Sequence, residues 1–260
     1  MINSLWIAKT GMEAQQMQLD VISNNLANVS TNGFKRGHVV FEDLMYQNLR
    51  QVGSSTSEQS TLPTGLQVGL GVHAVATSRT FSQGSMQQTS NNLDVAIQGN
   101  GFFQVTMPDG TTGYTRDGSF QLDNQGRMVN SSGLLVQGGI TVPATATSVS
   151  IAANGTVTAA IPGTTTPQTI GTLTMASFVN PAGLEPLGQN MYQESAASGQ
   201  PQAATPGTNG MGTIMQGYVE TSNVNVVQEL VNMIQTQRAY EMNSKAIQTS
   251  DQMLQKLGQM

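Results

Sequence analysis

Cysteine is missing from all 260 residues, only 10% of residues are charged and 5% are aromatic. The missing thiols rule out disulfide staples and thiolate metal sites, and they are compatible with a life outside the cytoplasm. With His38 and His73 as the sole histidines, most zinc centres and thiol-protease arrangements lack their ligands or bases. Long apolar runs are missing too. Between Arg127 and Glu185 no residue is charged, yet Thr, Ser, Gly and Pro interrupt the stretch before it reaches the ~18 apolar residues of a membrane helix. No membrane span is therefore expected. The ten Lys and Arg are scattered, with only Lys35 and Arg36 adjacent, and the net charge is −5. Such a surface does not neutralise a phosphate backbone, which excludes nucleic acid as a partner. Residues 1–6 show no basic region followed by a continuous apolar stretch and a small-residue cleavage site, so any export is expected to use a route other than a cleaved Sec signal.

What the chain does have lies first at its two ends. Leu5, Ala8, Met12, Gln15, Leu19, Ile22, Leu26 and Val29 advance by alternating steps of three and four, an a/d heptad seam with one polar member. Val226, Leu230, Met233, Gln237, Tyr240, Ser244, Ile247, Asp251 and Leu254 form a second, more polar seam, flanked by Val227, Val231 and Ile234. Each predicts a long helix that joins the middle of the chain by its inner end. If the two pack together they must run antiparallel, as a stalk on the order of 40 Å long at 1.5 Å per residue. Ile7, Met17, Val21, Val227, Val231 and Ile234 lie off the seams, an apolar excess that points to packing against neighbouring copies.

The middle changes to alternating patches separated by turn chemistry. Residues 93–97, 101–105 and 119–122 read as strands, with Asp109-Gly110, Asp117-Gly118 and Asn124-Gln125-Gly126 as turns, because Gly accepts the positive φ of tight hairpins. Residues 148–151, 155–159, 170–178 and 214–219 are later candidates. Residues 47–71 and 195–212 are rich in Ser, Thr, Gln, Gly and Pro with little periodicity, and read as long extended connections. The fold class is α+β: an antiparallel helix pair from the two ends, an extended linker region and a mainly-β outer domain.

No catalytic constellation stands out. The sequence has no Gly-x-Ser-x-Gly elbow. Gly69-Leu70-Gly71-Val72-His73-Ala74 mimics a dinucleotide fingerprint, but no long helical pattern follows it. Asp109, Asp117 and Asp123 are close in sequence, as paired glycosidase acids would be, yet Asp109 and Asp117 each precede Gly in a turn, where Asp serves local hydrogen bonding. Met17, Met233, Met242 and Met253 fall within helical patterns as adaptable packing. No catalytic, metal or cofactor residue is assigned, and no cofactor is implied.

Several segments carry a resemblance. Ser23-Asn24-Asn25-Leu26-Ala27-Asn28-Val29-Ser30-Thr31-Asn32-Gly33-Phe34-Lys35-Arg36 resembles the N-terminal signature of the flagellar basal-body rod and hook family. Gly217-Tyr218-Val219-Glu220-Thr221-Ser222-Asn223-Val224-Asn225, followed by Glu229 to Ile234 and by Gln237, Arg238, Ala239, Tyr240 and Glu241, is similar to its C-terminal counterpart. Tyr114-Thr115-Arg116-Asp117-Gly118-Ser119-Phe120 is similar across that family. The start, residues 4–11, and the stretch Leu62-Pro63-Thr64-Gly65-Leu66-Gln67-Val68-Gly69 resemble its distal-rod branch rather than hook or proximal rod proteins. The poorest match is the Thr- and Ala-rich region 141–168, where the strand layout stays open.

The motif residues also have a physical reading. Asn24, Asn25 and Asn28 form a polar face able to bond neighbouring backbones, Asn32-Gly33 stops the helix through a left-handed residue, and Phe34 anchors the chain just beyond. Gln237, Arg238 and Glu241 give the second helix directional groups that favour one register. Leu62, Leu66, Val68 and Leu70 are the anchors of the extended stretch, with Gly65, Gly69 and Gly71 allowing close backbone approach.

The resemblance implies a non-enzymatic subunit that polymerises helically with copies of itself into a torque-transmitting driveshaft. It implies flagellar type III export, a place in the periplasmic rod, and contacts with proximal rod proteins, hook proteins and the ring proteins that form a bushing around the rod. The seam residues Leu5, Met12, Leu19, Ile22, Leu26, Val226, Leu230, Met233, Tyr240, Ile247 and Leu254 are then the assembly interface. Residues 1–32 and 222–260 form the assembly domain, 33–80 and 205–221 an intermediate region containing the extended loop 47–71, and 81–204 the outer β domain. Another axial subunit, such as a hook or proximal rod protein, is the nearest rival; a secreted cell-wall-cleaving enzyme and a surface adhesin are rivals from other classes.

Overall fold

The two heptad seams fold as helix α1, Ile2–Ala27, and helix α2, Val226–Gly258, in a computed structural model that describes residues 2–51, 55–57, 60–61, 64–164 and 166–258. Neither helix contains Pro and only Gly11 and Gly258 interrupt their side chains, so nothing in either breaks the backbone ladder. With mainly β structure between them, the fold is the α+β arrangement expected. No described helix is long and apolar enough to cross a membrane.

The end of α1 departs from expectation. Its last helical residue is Ala27, and a turn follows in which the Thr31 hydroxyl donates to Asn28 Oδ1 at 3.2 Å. Gly33 does have a left-handed φ of 69°, but it lies well past the helix. Its reason is a close approach: a Cβ there would sit 2.6 Å from the backbone nitrogen of Asp117.

The chain divides into two compact units. The first comprises Met1–Leu26, Gly37–Ser78 and Asn225–Met260. Beside the helices it carries an antiparallel ribbon. Gly37–Asp43 pairs with Val72–Arg79, and Tyr46–Arg50 pairs with Leu66–Gly69, with Gln47 opposite Val68 and a bulge between Asn48 and Arg50. Ser55–Ser57 and Ser60–Thr61 pair beyond that. The reading of 47–71 as a long extended connection is thus sharpened: its described residues are extended and paired with one another as an arm. Its polar sequence hid the pairing, because neither face is buried and the alternation that marks a strand is weak.

The second unit comprises Ala27–Arg36 and Arg79–Val224. Its centre is the strand Phe102–Thr106, paired with Thr112–Thr115 along one edge. Along the other edge it meets Met175–Ser177 at Phe102 and Phe103, and Leu135–Val136 at Val105 and Thr106. Alternation along this strand supplies two cores. Phe103 and Val105 join Val95, Ile97, Phe120, Val157 and Met175 in the larger cluster, while Phe102 packs edge-to-face with Phe178 and with Tyr192 in an aromatic one.

Several strand boundaries also differ from expectation. Residues 170–178 split into Gln168–Thr172 and Met175–Ser177, and 214–219 into Thr213–Gln216 and Tyr218–Glu220 at Gly217, whose φ is 74°. Residues 195–212 are partly paired, with Gln202–Ala204 against Met175–Ser177. The open region 141–168 forms part of a three-stranded sheet of Ser148–Ile151, Thr156–Ala160 and Gln168–Thr172.

Candidate functional site

Three of the segments that carry the sequence resemblance meet in the second unit around a buried ion cluster. Lys35 comes from the N-terminal motif, Glu220 from the C-terminal one and Arg116 from the Tyr114-to-Phe120 segment, and all three are buried. Lys35 Nζ donates to Glu220 Oε1 at 2.6 Å and to the Ser82 carbonyl at 2.8 Å. Arg116 Nη1 lies 3.3 Å from Glu220 Oε2, and its Nη2 donates to the Gly99 carbonyl at 2.7 Å. The Gly84 amide donates to Glu220 Oε1 at 2.8 Å, and the Gly33 amide to the Glu220 carbonyl, also at 2.8 Å. Burial pushes the Lys35 ammonium below its ordinary range against the opposing pull of Glu220, and burial likewise lowers Arg116. Ion pairs this deeply buried are strongly destabilising to break, because the survivor is left uncompensated.

Around the cluster the same motifs supply anchors. Phe34 is buried, with the Arg79 guanidinium 5.7 Å from its ring and an equal distance from that of Tyr192. Arg36 N donates to Asn223 Oδ1 at 2.7 Å, while Asn223 Nδ2 reaches the Thr80 and Ser82 carbonyls. The turn acids act locally: Asp109 accepts from the Thr111 amide and hydroxyl, Asp117 from the Ser119 amide, and Asp123 pairs with Arg127 at 2.6 Å. Their hydrogen bonds hold the Asp109 and Asp123 carboxyls below the usual range. The described residues also form a cleft of about 300 Å³ beside Phe81, Phe102 and Phe178, whose charged wall is Arg116, already engaged with Glu220.

The first unit presents a different kind of surface. The α1 seam is turned inward: Ala8 and Ile22 are buried, and Leu5, Met12, Gln15, Leu19 and Leu26 are half-buried. On α2 the apolar seam is largely turned out. Val226, Leu230, Tyr240 and Leu254 are exposed together with Val227, Val231 and Ile234, the last at 50%; Met233 and Ile247 are half-buried. The fully buried residues of α2 are instead Glu229 and Thr236, with Asn232, Met233, Ala239, Asn243, Ser244 and Ile247 half-buried along the same side.

The remaining motif residues divide in the same way. Asn25 is buried, accepting from the Gly37 amide at 2.9 Å and donating to the Gly37 carbonyl at 2.8 Å. Asn24, Gln237, Arg238 and Glu241 are exposed and Asn28 is half-buried. In the arm Leu66 is exposed, Gly65 and Gly69 are half-buried, and Leu62 lies outside the described residues.

Comparison with known proteins agrees with this convergence of motifs. Three family profiles match: flagella basal body rod protein over residues 5–35, flagellar hook protein FlgE/F/G D1 domain over 96–159, and flagellar basal body rod FlgEFG protein C-terminal over 215–260. The flagellar basal-body rod protein FlgG of Buchnera aphidicola subsp. Acyrthosiphon pisum is 58% identical over 100% of both chains. The FlgG of Caulobacter vibrioides is 46% identical over 100% of this chain and 99% of its own. The chain belongs to the FlgG family of flagellar basal-body rod proteins.

Full-length agreement separates the FlgG family from the hook rival. The flagellar hook protein FlgE of Helicobacter pylori is 43% identical over 53% of this chain and only 19% of its own length. The distal-rod branch is therefore the one to which the chain belongs, as a structural subunit of the flagellar basal body. Within the FlgG signatures, Lys35, Arg116 and Glu220 carry the junction, and single-sequence reasoning passed over their pairing. A signal was present: in a chain with so few charges, each of the three motifs holds an ionisable residue next to aromatic or β-branched neighbours.

Proposed function

We propose that this rod subunit polymerises helically through its terminal helices into a shaft that transmits torque, and that it performs no catalysis. The observation that carries this reading is the inversion of α2, which turns Glu229 and Thr236 inward and leaves Leu230, Val231 and Ile234 exposed. A soluble helix ordinarily buries its apolar stripe, so an outward stripe of this length marks a surface meant for another chain. Residues 1–32 and 222–260 serve as the assembly domain, 33–80 and 205–221 as the intermediate region, and 81–204 as the outer domain. The arm carrying Leu66 braces neighbouring subunits. The partners are further copies of the chain, proximal rod proteins, hook proteins and the ring proteins around a periplasmic rod, reached by flagellar type III export.

The test is assembly of purified protein carrying Val231→Asp or Ile234→Asp, followed by electron microscopy. Both side chains are exposed in the single chain, so the variants should fold normally. Burying an unpaired carboxylate at every copy of an interface costs several kcal/mol, so filaments should be lost. Filaments of ordinary length and number from both variants would remove α2 from the interface.

A further inference from the structure

Two polar side-chain contacts join α1 and α2 among the described residues. Asn25 Nδ2 lies 3.4 Å from Glu229 Oε2, both residues being buried. Farther along, Asn243 Nδ2 donates to Gln15 Oε1 at 3.2 Å. Opposite the same amide is Gly11, where an added Cβ would lie 2.9 Å from Asn243 Nδ2. As the contact moves from Gln15 to Asn25 on α1, its partner moves back from Asn243 to Glu229, so the pair is antiparallel.

We propose that these two polar clasps, Asn25 with Glu229 and Gln15 with Asn243, set the axial register of the helix pair, with Gly11 supplying the clearance for Asn243. An apolar seam alone is a poor ruler, because a slip of one heptad exchanges one aliphatic contact for another. The clasps do not tolerate that exchange. A one-heptad slip carries Asn243 away from Gln15 and puts Ala8 or Ile22 in its place, neither of which offers an acceptor, while the clearance at Gly11 is filled by Ser4 or Gln18. A polar group shut into an interface without a partner loses more than the hydrogen bond is worth when made. The slip also separates Glu229 from Asn25, which stays tied to Gly37 by two hydrogen bonds and so fixes the arm and the register at one point. Gln237, Arg238 and Glu241, expected from sequence to favour one register, are exposed in the single chain. The inference concerns one chain's own helices and holds whether or not α2 forms the assembly surface.

The absence of cysteine makes the test direct. Ala14 lies one turn along from Gly11 and Ala239 one turn before Asn243, both half-buried, so Ala14→Cys with Ala239→Cys reports the true register. Ala14→Cys with Ala246→Cys reports a slip of one heptad. In the otherwise unchanged full-length chain the first pair should oxidise to a disulfide and the second at least about fivefold more slowly, the ratio that a single net hydrogen bond supports. In a Gln15→Leu, Asn243→Leu, Glu229→Leu background, which removes both clasps, the two rates should converge while the chain still folds cooperatively with both helices present by circular dichroism. A register preference that survives the triple replacement would overturn the proposal. Equal reaction of both pairs in the unchanged chain, or reaction of neither, would overturn it as well.

Discussion

The two units of this chain use polar and apolar residues in opposite ways. In the second, Phe103, Phe120, Val157 and Met175 are fully enclosed, and even the buried charges of Lys35, Arg116 and Glu220 find partners inside the same unit. In the first, two polar contacts join α1 and α2 while Leu230, Val231 and Ile234 face out. The lesson is about completeness. One unit encloses its apolar residues, and the other leaves an apolar stripe of α2 exposed. A helix draws most of its stability from burying an apolar face, so on the proposed assembly α2 is expected to gain stability that the β unit does not.

The comparison breaks most visibly at Glu220. Glu220→Leu leaves Lys35 and Arg116 buried without their counter-charge, which should cost about 3–5 kcal/mol by urea unfolding. Replacing all three by apolar residues of similar volume should cost far less, since the charges then disappear together. A Glu220→Leu chain as stable as the parent would show that the cluster does not hold the junction. Next in size is Gly33→Ala, which must adopt a left-handed φ and meet the Asp117 backbone, at an expected cost of about 1–3 kcal/mol. The same substitution at Gly110, where nothing lies within 4 Å, removes the clash and keeps the strain, so the difference between the two isolates the close approach. On α2, by contrast, Ile234→Asp should change the stability of the unassembled chain by no more than about 0.5 kcal/mol, as for other exposed positions, while abolishing filaments.

The smallest effect is on base stability. Burial, with a lesser contribution from Glu194, pushes the Tyr114 hydroxyl up from 10.0 to about 12. A raised value means that the folded state holds its proton longer, so this contribution is complete below pH 10 and is lost as pH rises toward about 12. Lys35 runs the other way: its folded value lies below 10.5, so stability rises as pH climbs through the window between the two. Tyr114→Phe should therefore move the alkaline unfolding limb of the β unit to higher pH, followed by near-ultraviolet circular dichroism. No movement would mean that another group controls that limb.

Much of this was legible in the residues themselves. The helices followed from heptad spacing at both ends, and the turn acids from their place before Gly. Phe34 is buried and Asn25 bonds the Gly37 backbone. What single-sequence patterns did not carry was pairing between distant segments. Lys35 and Glu220 are brought together across the chain by tertiary structure alone, and Gly33 reads locally as a helix stop although its constraint comes from Asp117. The inversion of α2 was hidden for a related reason. Heptad spacing shows that a stripe exists, but not whether the facing helix or a neighbouring molecule will cover it.

The most direct measurement of that inversion uses the cysteine-free chain with Ile234→Cys and compares maleimide labelling of dilute monomer with labelling of assembled filaments. Rapid modification in the monomer and strong protection in the filament are the results expected if the outward face of α2 is the surface that joins subunits. Equal labelling in the two states, with filaments intact, would contradict the account.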